Sequence, residues 1–232
     1  MTAATLTEAF QEALVMDAPL SDRLASYVGA LRDLGSPYAA AYDRLVAQLA
    51  RGEAGSRAPR PGDPMPPFVL PSDVGTLVRL DELLGQGPVV ISFNRGHWCP
   101  LCRLELAALT RLHEKAKTLS GQIVSIVPER QPFARKIKAD FKVPFPVLSD
   151  MDNGYALSLG LVMWVGEEVC RLYSSDGLNL PEFTGSAGWF LPLPATFVVG
   201  RDGRVIARFI DPDFRKRMAE EAILTAVVST EA

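Results

Sequence analysis

Two cysteines, in the segment Trp98-Cys99-Pro100-Leu101-Cys102, are the side chains of this chain best suited to chemistry. A cysteine reacts as its thiolate, and the free N–H groups and positive end of a helix stabilise a thiolate. Cysteines in such places have pKa values well below the value of about 8.5 for a free thiol. We therefore expect Cys99 to be partly ionised at neutral pH and to be reached by solvent at the mouth of a pocket.

The residues around this segment predict a junction between a strand and a helix. The run from Pro88 to Phe93 is apolar and rich enough in β-branched residues for a buried strand. Apolar residues then recur at helical spacing from Leu101 to Leu112. Cys99 is therefore predicted to lie where the strand gives way to the helix, with Cys102 one helical turn further along.

The composition excludes several classes of function. The chain has 232 residues, of which 48% are hydrophobic and 22% charged, as in a globular protein with ample core. The net charge is −3 and no basic stripe alternates with aromatic residues, so we expect no nucleic-acid partner. No apolar run approaches the roughly 18 residues of a membrane span, and the N-terminus is unlike a secretory signal. We therefore expect a soluble, cytoplasmic protein whose three cysteines serve redox or metal chemistry rather than a disulfide framework.

Three consecutive helices are predicted in the first fifty residues, each with one apolar face. Ser21 is predicted to cap the second helix, and Gly35 to end it. The third helix is predicted to start at Ser36-Pro37 and to end near Gly52. These helices carry no group of evident chemical function, so they either pack against the rest of the chain or form a homodimer interface, and the sequence leaves both possibilities open.

The stretch 52–64 is rich in proline and glycine, breaks every pattern and predicts a linker. We place the domain boundary near Ala58, which gives a helical extension at 1–57 and a second domain at 58–232.

Strands and helices alternate in the second domain, which predicts an α/β fold with a mixed central sheet flanked by helices. The polar, proline-containing stretch 176–193 is predicted to be an irregular loop over one face, or a lid. Asp81 is predicted to cap a short helical turn. The predicted strands are 68–70, 76–79, 88–94, 123–127, 144–148, 195–199 and 205–210, and the longer predicted helices are 99–119, 131–141, 155–159 and 215–228.

Several segments carry a family resemblance. The cysteine segment, Pro194-Ala195-Thr196-Phe197-Val198-Val199 before a terminal hairpin, and Arg201-Asp202-Gly203 at its turn together resemble the thioredoxin superfold. More narrowly, segments 61–70, 93–100 and 145–150 resemble the alkyl hydroperoxide reductase/thiol-specific antioxidant family, in its peroxiredoxin-like branch with a CPxC motif. The resemblance covers roughly residues 58–230 and implies a thioredoxin-like fold.

The resemblance also implies an activity, that of a thiol peroxidase acting on hydrogen peroxide or organic hydroperoxides. It assigns the peroxidatic nucleophile to Cys99 and makes Trp98 the wall beside the sulfur. Attack on a peroxide needs a thiolate, donors for the departing oxygen and removal of the sulfenic acid before it over-oxidises. Cys102 is close enough to resolve the sulfenic acid to an intramolecular disulfide, which an external thiol such as a thioredoxin or glutathione system would reset. No cofactor or metal is implied.

The sequence departs from the family at three positions. Ser92 and Gly96 stand where typical peroxiredoxins have a proline and a threonine or serine, so the hydroxyl donor is missing. Pro194 stands where peroxiredoxins have an arginine and thioredoxins a cis-proline. Arg95 or Arg103 must therefore supply the positive charge beside the thiolate. The candidate environment of the thiolate consists of Arg95, Gly96, His97, Trp98, Pro100, Arg103, Pro194 and Thr196.

Three interpretations of the two thiols compete. The first is the peroxidase described above. The second is a thioredoxin-like thiol-disulfide oxidoreductase, in which Pro194 helps to align the incoming chain. The third is non-catalytic, either a metal site or an interaction protein that retains the fold. A zinc site normally needs four ligands, and the soft ligands available include no second close pair.

Single residues also carry alternatives. His97 either tunes the thiolate or is an exposed loop histidine, and Glu105 either moves a proton or lies on the wet face of its helix. Cys170 is either a distal resolving thiol or a small buried hydrophobe, and we favour Cys102 as the resolving residue. Three large side chains line the substrate entrance or pack in the core: Met163, Trp164 and Trp189.

Overall fold

A mixed five-stranded sheet lies at the centre of the molecule in the computed structural model, which describes residues 4–229. In sheet order the strands are β5 (Val147–Ser149), β4 (Gln122–Val127), β3 (Val89–Phe93), β8 (Ala195–Val199) and β9 (Val205–Ile210). Strands β3, β4 and β5 are mutually parallel, and β8 is antiparallel to both of its neighbours. This arrangement confirms the predicted fold class, and the fully buried β3 leads directly to the cysteine segment.

Two short antiparallel pairs flank the central sheet. The pair of β1 and β2 is the predicted opening hairpin, whereas the pair of β6 and β7 joins two distant stretches of chain. Ten α-helices are formed by the described residues, together with a 3-10 turn at Met151–Asn153. The flanking strands are β1 (Val69–Pro71), β2 (Leu77–Arg79), β6 (Val162–Trp164) and β7 (Phe190–Pro192), and the helices are α1 (Leu6–Val15), α2 (Leu20–Asp33), α3 (Pro37–Arg51), α4 (Leu80–Gln86), α5 (Pro100–Thr118), α6 (Gln131–Phe141), α7 (Gly154–Ser158), α8 (Gly166–Ser175), α9 (Leu180–Thr184) and α10 (Glu220–Val228).

Local capping signals explain where several helices begin. Ser36 caps α3, and Pro37 occupies its first turn, as predicted. Two predicted caps are wrong. Helix α2 begins after Pro19 without a side-chain cap, so Ser21 lies inside its first turn. Helix α4 begins after Arg79, so Asp81 lies within the helix.

Three stretches differ from the sequence prediction. The region 176–193 contains α9 and β7 rather than only an irregular loop, because β7 pairs with β6. Helix α8 was not predicted. The C-terminal helix begins at Glu220 instead of near 215. The segment before it is non-helical, and the side chain of Arg217 in this segment is buried.

The N-terminal helices pack against α5 and share a core with it. One hydrophobic cluster contains residues of α1, α2 and α3 together with Cys99 and Cys102. The N-terminal helices therefore pack against the second domain, which is one of the two alternatives that the sequence left open. The boundary near Ala58 stays a prediction, and the outer ends of the two predicted domains, residues 1–3 and 230–232, lie outside the described residues. Over residues 4–229, none of the helices combines the length and apolar character needed to cross a bilayer.

The shared core predicts that the extension and the sheet domain unfold together. Leu24 on α2 is 3% exposed within this cluster, so Leu24→Ala should lower the free energy of unfolding by about 2 to 5 kcal/mol. In urea, circular dichroism and tryptophan fluorescence should move together to a lower midpoint. Val15→Ala, at a position 78% exposed, is the matched control and should change stability by less than about 0.5 kcal/mol. A helical signal lost well before the fluorescence change would contradict a shared core.

Candidate active site

The sulfur of Cys99 accepts hydrogen bonds from two directions. Cys99 is the N-cap residue of α5, and the backbone N–H of Cys102 lies 3.4 Å from its Sγ. Nη2 of Arg95 lies 3.1 Å from the same sulfur. Pro100 occupies the first turn of α5, where its missing N–H costs no hydrogen bond. The sulfur therefore sits at the positive end of a helix and beside a full positive charge.

Cys99 is nonetheless closed off from solvent. Its side chain is 0% exposed, so the prediction that solvent reaches the sulfur at a pocket mouth is wrong. The N-terminal extension contributes to this burial, since residues from α1, α2 and α3 belong to the same core cluster as Cys99. The predicted place of Cys99 at the start of a helix is confirmed.

The two thiols of the pair have opposite pKa shifts. Burial raises the pKa of Cys99, but the hydrogen bond from the Cys102 thiol and the charges of Arg95 and Arg217 outweigh it and lower the pKa to about 5. Burial, the hydrogen bond to Cys99 and the negative charge of Cys99 raise the pKa of Cys102 well above its ordinary value. At neutral pH the pair therefore consists of a thiolate at Cys99 and a thiol at Cys102.

Arg95 supplies the charge beside the thiolate, as one of the two candidate arginines. It is 1% exposed, and its guanidinium carbon lies 4.5 Å from the ring centre of Phe214 and 5.6 Å from that of Trp98. Within residues 4–229, Nε and Nη1 of Arg95 have no hydrogen-bond partner. Two aromatic rings and one sulfur therefore contact the guanidinium, and the two nitrogens just named donate no hydrogen bond to the described residues.

Arg103, the other candidate, stacks on two aromatic rings instead of donating a hydrogen bond to Cys99. Its guanidinium carbon lies 4.5 Å from the ring centre of Phe10 and 4.8 Å from that of Phe141. The prediction that Arg103 could hold the thiolate is therefore wrong, because α1 and α6 supply aromatic faces on which this side chain stacks.

A buried ion pair lies beside Cys102. Arg217 pairs with the carboxylate of Glu105, and Nη2 of Arg217 lies 3.5 Å from Cys102 Sγ. The hydroxyl of Ser92 donates to Glu105 Oε1 at 2.9 Å. Burial raises the pKa of Glu105, although the charge of Arg217 acts against it. The interpretation of Glu105 as a residue on the wet face is wrong, since the segment before α10 covers it.

The turn before Cys99 is fixed by a buried carboxylate. Glu129 is 0% exposed; it accepts from the backbone N–H of His97 at 2.9 Å and lies 2.7 Å from Nδ1 of the same residue. Gly96 has φ +136, and a Cβ there would lie 2.5 Å from Glu129 Oε1 and 2.8 Å from Nε1 of Trp98. Glycine is thus required at 96. His97 is a largely buried residue that holds the turn, not an exposed loop histidine.

Pro194 and Thr196 lie on the strand side of the site. Both are buried, and Thr196 pairs with Ser92 across β8 and β3. Within residues 4–229 no peptide bond is cis, so Pro194 follows a trans bond and lacks the geometry that the thioredoxin resemblance implies.

A cavity of about 230 Å³ adjoins the cysteine segment. Its lining combines Arg95, Trp98 and Pro100 with residues of the N-terminal helices and of the region around α8. The predicted entrance residues Met163, Trp164 and Trp189 do not line this cavity. The full lining is Leu6, Tyr27, Leu31, Tyr38, Tyr42, Arg95, Trp98, Pro100, Leu101, Tyr173, Asp176 and Leu178.

Cys170 belongs to α8 and is half-buried against the same core cluster. Burial raises the pKa of its thiol. It therefore packs as a small hydrophobe, the alternative that we favoured for it.

Sequence reasoning missed several residues of the site. Arg217 was taken as part of a helix, and Tyr42 as part of an apolar face. The hydroxyls of Tyr42 and Tyr173 lie 3.0 Å apart, and the ring of Tyr173 packs on Trp98 with centres 5.1 Å apart. The sequence offered one signal for these residues, the four tyrosines in and around its apolar stripes. Packing in the core explains tyrosines at such positions equally well.

Comparison with known proteins gives consistent matches. A sequence model described as AhpC/TSA family matches residues 61–208. Chloroplastic peroxiredoxin Q of Sedum lineare is 30% identical over 92 residues, which are 40% of this chain and 49% of that protein. Thiol-disulfide oxidoreductase ResA of Bacillus subtilis is 25% identical over 154 residues, covering 66% of this chain and 69% of that protein. The chain thus spans about half the length of the peroxiredoxin Q that it matches.

Among solved structures, peroxidoxin BcpB from Mycobacterium tuberculosis has a TM-score of 0.57 and 22% identity, covering 74% of this chain and 97% of that one. The likeness is one of fold.

The ionisation of Cys99 is directly measurable. The absorbance of the thiolate near 240 nm should titrate with a midpoint of about 5, and Arg95→Met should move the midpoint upward by at least about one unit because the nearest positive charge is lost. Arg103→Met removes the same charge from a residue that stacks elsewhere, so the midpoint should stay near that of the wild type. Equal shifts in the two variants would contradict a specific role for Arg95.

Proposed function

Because the chain belongs to the AhpC/TSA family, we propose that it is a thiol-dependent peroxidase that reduces hydrogen peroxide or organic hydroperoxides through Cys99. Its fold is thioredoxin-like. The observation that carries the proposal is the contact of 3.1 Å between Arg95 and the sulfur of Cys99 at the start of α5. A thiolate stabilised in this way is the nucleophile that peroxide cleavage requires.

In the first step the thiolate of Cys99 attacks the terminal oxygen of the peroxide. The O–O bond breaks, its electron pair leaves with the remaining oxygen, and that oxygen takes up a proton to give water or an alcohol. Sulfur is oxidised to a sulfenic acid. Nη2 of Arg95, which lies 3.1 Å from the sulfur, places a positive charge close to the oxygens as negative charge moves onto them.

The second step removes the sulfenic acid. The sulfur of Cys102 attacks the sulfur of Cys99, water leaves, and a disulfide forms between the two residues. Cys102 lies in the first turn of the same helix, and its sulfur contacts Arg217 at 3.5 Å. The positive charge of Arg217 favours the Cys102 thiolate that makes this attack and acts against the burial that raises the pKa of the thiol.

The cycle is completed by an external thiol reductant. Two thiols, from a thioredoxin or from two molecules of glutathione, give two electrons to the disulfide and become a disulfide themselves. Both reductants are of the class expected for a peroxiredoxin-like enzyme. A cytoplasmic location, where such thiols are abundant, is part of the proposal.

Thiol-disulfide exchange with protein partners is the alternative, and the 25% identity with ResA keeps it plausible. The 0% exposure of Cys99 favours the peroxidase, because a small peroxide requires a much smaller opening of the structure to reach the sulfur than a protein disulfide does. A purely structural binding role accounts least well for a buried thiolate, since burying an unused charge is costly.

Cysteine variants test the assigned roles. Cys99→Ser should lower kcat/KM for hydrogen peroxide by at least about a thousandfold, because a serine hydroxyl stays protonated at neutral pH. Cys102→Ser should still consume one equivalent of peroxide and stop at a sulfenic acid, visible by mass spectrometry after trapping with dimedone. Cys170→Ser should keep wild-type turnover and is the control. A disulfide to Cys170 in the oxidised wild type would contradict the role of Cys102.

The two oxidoreductase functions separate in a paired assay. The reduced protein should lose two thiols with hydrogen peroxide much faster than it reduces the disulfides of insulin. Fast insulin reduction by a protein whose thiols survive peroxide would establish the alternative instead.

A further inference from the structure

The ion pair of Arg217 and Glu105 lies beside Cys102, and the family match includes only one of its two residues. Glu105 belongs to α5, whereas Arg217 lies beyond residue 208, where the match ends. The side chain of Arg217 is 2% exposed and that of Glu105 is 3% exposed. The cation next to the second sulfur is therefore a feature of this chain that its family membership does not account for.

We propose that this ion pair makes ionisation of Cys102 depend on oxidation of Cys99, so that the second thiolate forms only when there is a sulfenic acid for it to attack. Arg217 is then a catalytic residue of the resolving step, because it touches the reacting sulfur. Glu105 is a positioning residue that acts through Arg217. This inference rests on the proposed peroxidase function and adds to it the control of its second step.

Arg217 is shared between a carboxylate and a sulfur. Its Nε binds the carboxylate of Glu105, and its Nη2 lies 3.5 Å from Cys102 Sγ. Its Nη1 donates to the backbone carbonyl oxygens of Phe214 and Lys216, at 2.7 Å each. These contacts hold the guanidinium in one orientation, with one nitrogen directed at the sulfur.

In the reduced protein the charges around the two sulfurs balance. Arg95 and Arg217 carry the positive charges. Cys99 and Glu105 carry the negative charges. Ionisation of Cys102 would place a second anion beside Cys99, whose negative charge is one of the causes that raise the pKa of Cys102. Cys102 therefore stays a thiol, and its S–H donates to the sulfur of Cys99.

Oxidation of Cys99 removes one of these charges. A protonated sulfenic acid is neutral, so the two buried guanidinium groups then face a single carboxylate. An uncompensated buried charge is unfavourable, and the thiol of Cys102, 3.5 Å from Nη2 of Arg217, can compensate it by ionising. Tyr173, which also feels the charge of Cys102, stays neutral because burial raises its pKa. Negative charge on Cys102 is therefore favoured after oxidation and not before it.

The resolving step is balanced without a further reactant. The sulfur of Cys102 attacks the sulfur of Cys99, the S–S bond forms and the S–O bond breaks. The proton of the Cys102 thiol goes to the departing hydroxide, which leaves as water. The sulfur of Cys102 is oxidised and that of Cys99 is reduced, so no outside electron acceptor is needed.

Titration of Cys102 in a neutral mimic of the oxidised site tests the proposal. Cys99→Ser removes the charge at 99, and Cys170→Ser leaves Cys102 as the single cysteine of the chain. The ultraviolet absorbance of the thiolate is corrected with the matched variant that also carries Cys102→Ser, which subtracts the tyrosines. The midpoint should lie at least about one unit below that of Cys102 in Cys170→Ser alone, because the neighbouring negative charge is gone.

Two further changes in the mimic should move this midpoint in opposite directions. Arg217→Met removes the charge that touches the sulfur and should raise the midpoint by at least about one unit, whereas Glu105→Gln removes the opposing charge and should lower it. A merely structural role would move both the same way. Arg215→Met, at a residue that pairs with Asp213 and Asp43, is the matched control and should leave the midpoint in place.

The rate of resolution gives a second readout in the active protein. With hydrogen peroxide at neutral pH, Arg217→Met should form the sulfenic acid and convert it to the disulfide at least about tenfold more slowly than the wild type, the change in thiolate population that one pKa unit gives. Dimedone trapping and mass spectrometry follow the sulfenic acid. Arg215→Met should resolve at the wild-type rate.

The outcomes separate this inference from the proposed function. A Cys102 midpoint that ignores the charge at 99, or that shifts the same way in Arg217→Met and Glu105→Gln, would overturn the inference while peroxide reduction by the wild type stands. If Arg217→Met does not fold, the direction of the shift in Glu105→Gln decides. A wild type that does not reduce peroxide would overturn the proposed function itself.

Discussion

A guanidinium and a thiolate lie in contact, out of reach of water, where β3 passes into α5. The contact between Arg95 and Cys99 is 3.1 Å, and both side chains are almost completely buried. Burying either charge alone would be costly, so each stabilises the charged form of the other. Beside them, Arg217 and Glu105 form a second buried pair. The four formal charges cancel, which allows a reactive anion to persist inside the core.

The rest of the structure holds these groups in place. Helix α5 presents its first-turn N–H to the sulfur, and Glu129 fixes the turn that carries Arg95 by binding His97. The N-terminal helices pack over the site, and Cys99 lies in the same hydrophobic cluster as their apolar residues. This cover keeps water away from the thiolate, and a cavity of about 230 Å³ adjoins the cysteine segment.

Sequence patterns predicted the parts of this arrangement that local physics determines. A buried strand, a proline at the start of a helix and two cysteines one turn apart place Cys99 at an N-cap without knowledge of the fold. Arg217 could not be predicted, because its segment lies inside an amphipathic pattern, whereas in the structure the segment is non-helical and Arg217 pairs with Glu105, 112 residues away. The burial of Cys99 was missed for a similar reason, since an apolar stripe on a helix does not say which surface it covers.

The dependence of peroxide reactivity on pH tests the buried thiolate most directly. The second-order rate constant for oxidation of Cys99 by hydrogen peroxide should be constant from pH 7 to 9 and should fall only as the pH approaches about 5, where the thiolate is protonated. Stopped-flow tryptophan fluorescence would follow the reaction. A rate constant that keeps rising with pH up to about 8.5, the ordinary pKa of a free thiol, would contradict the account.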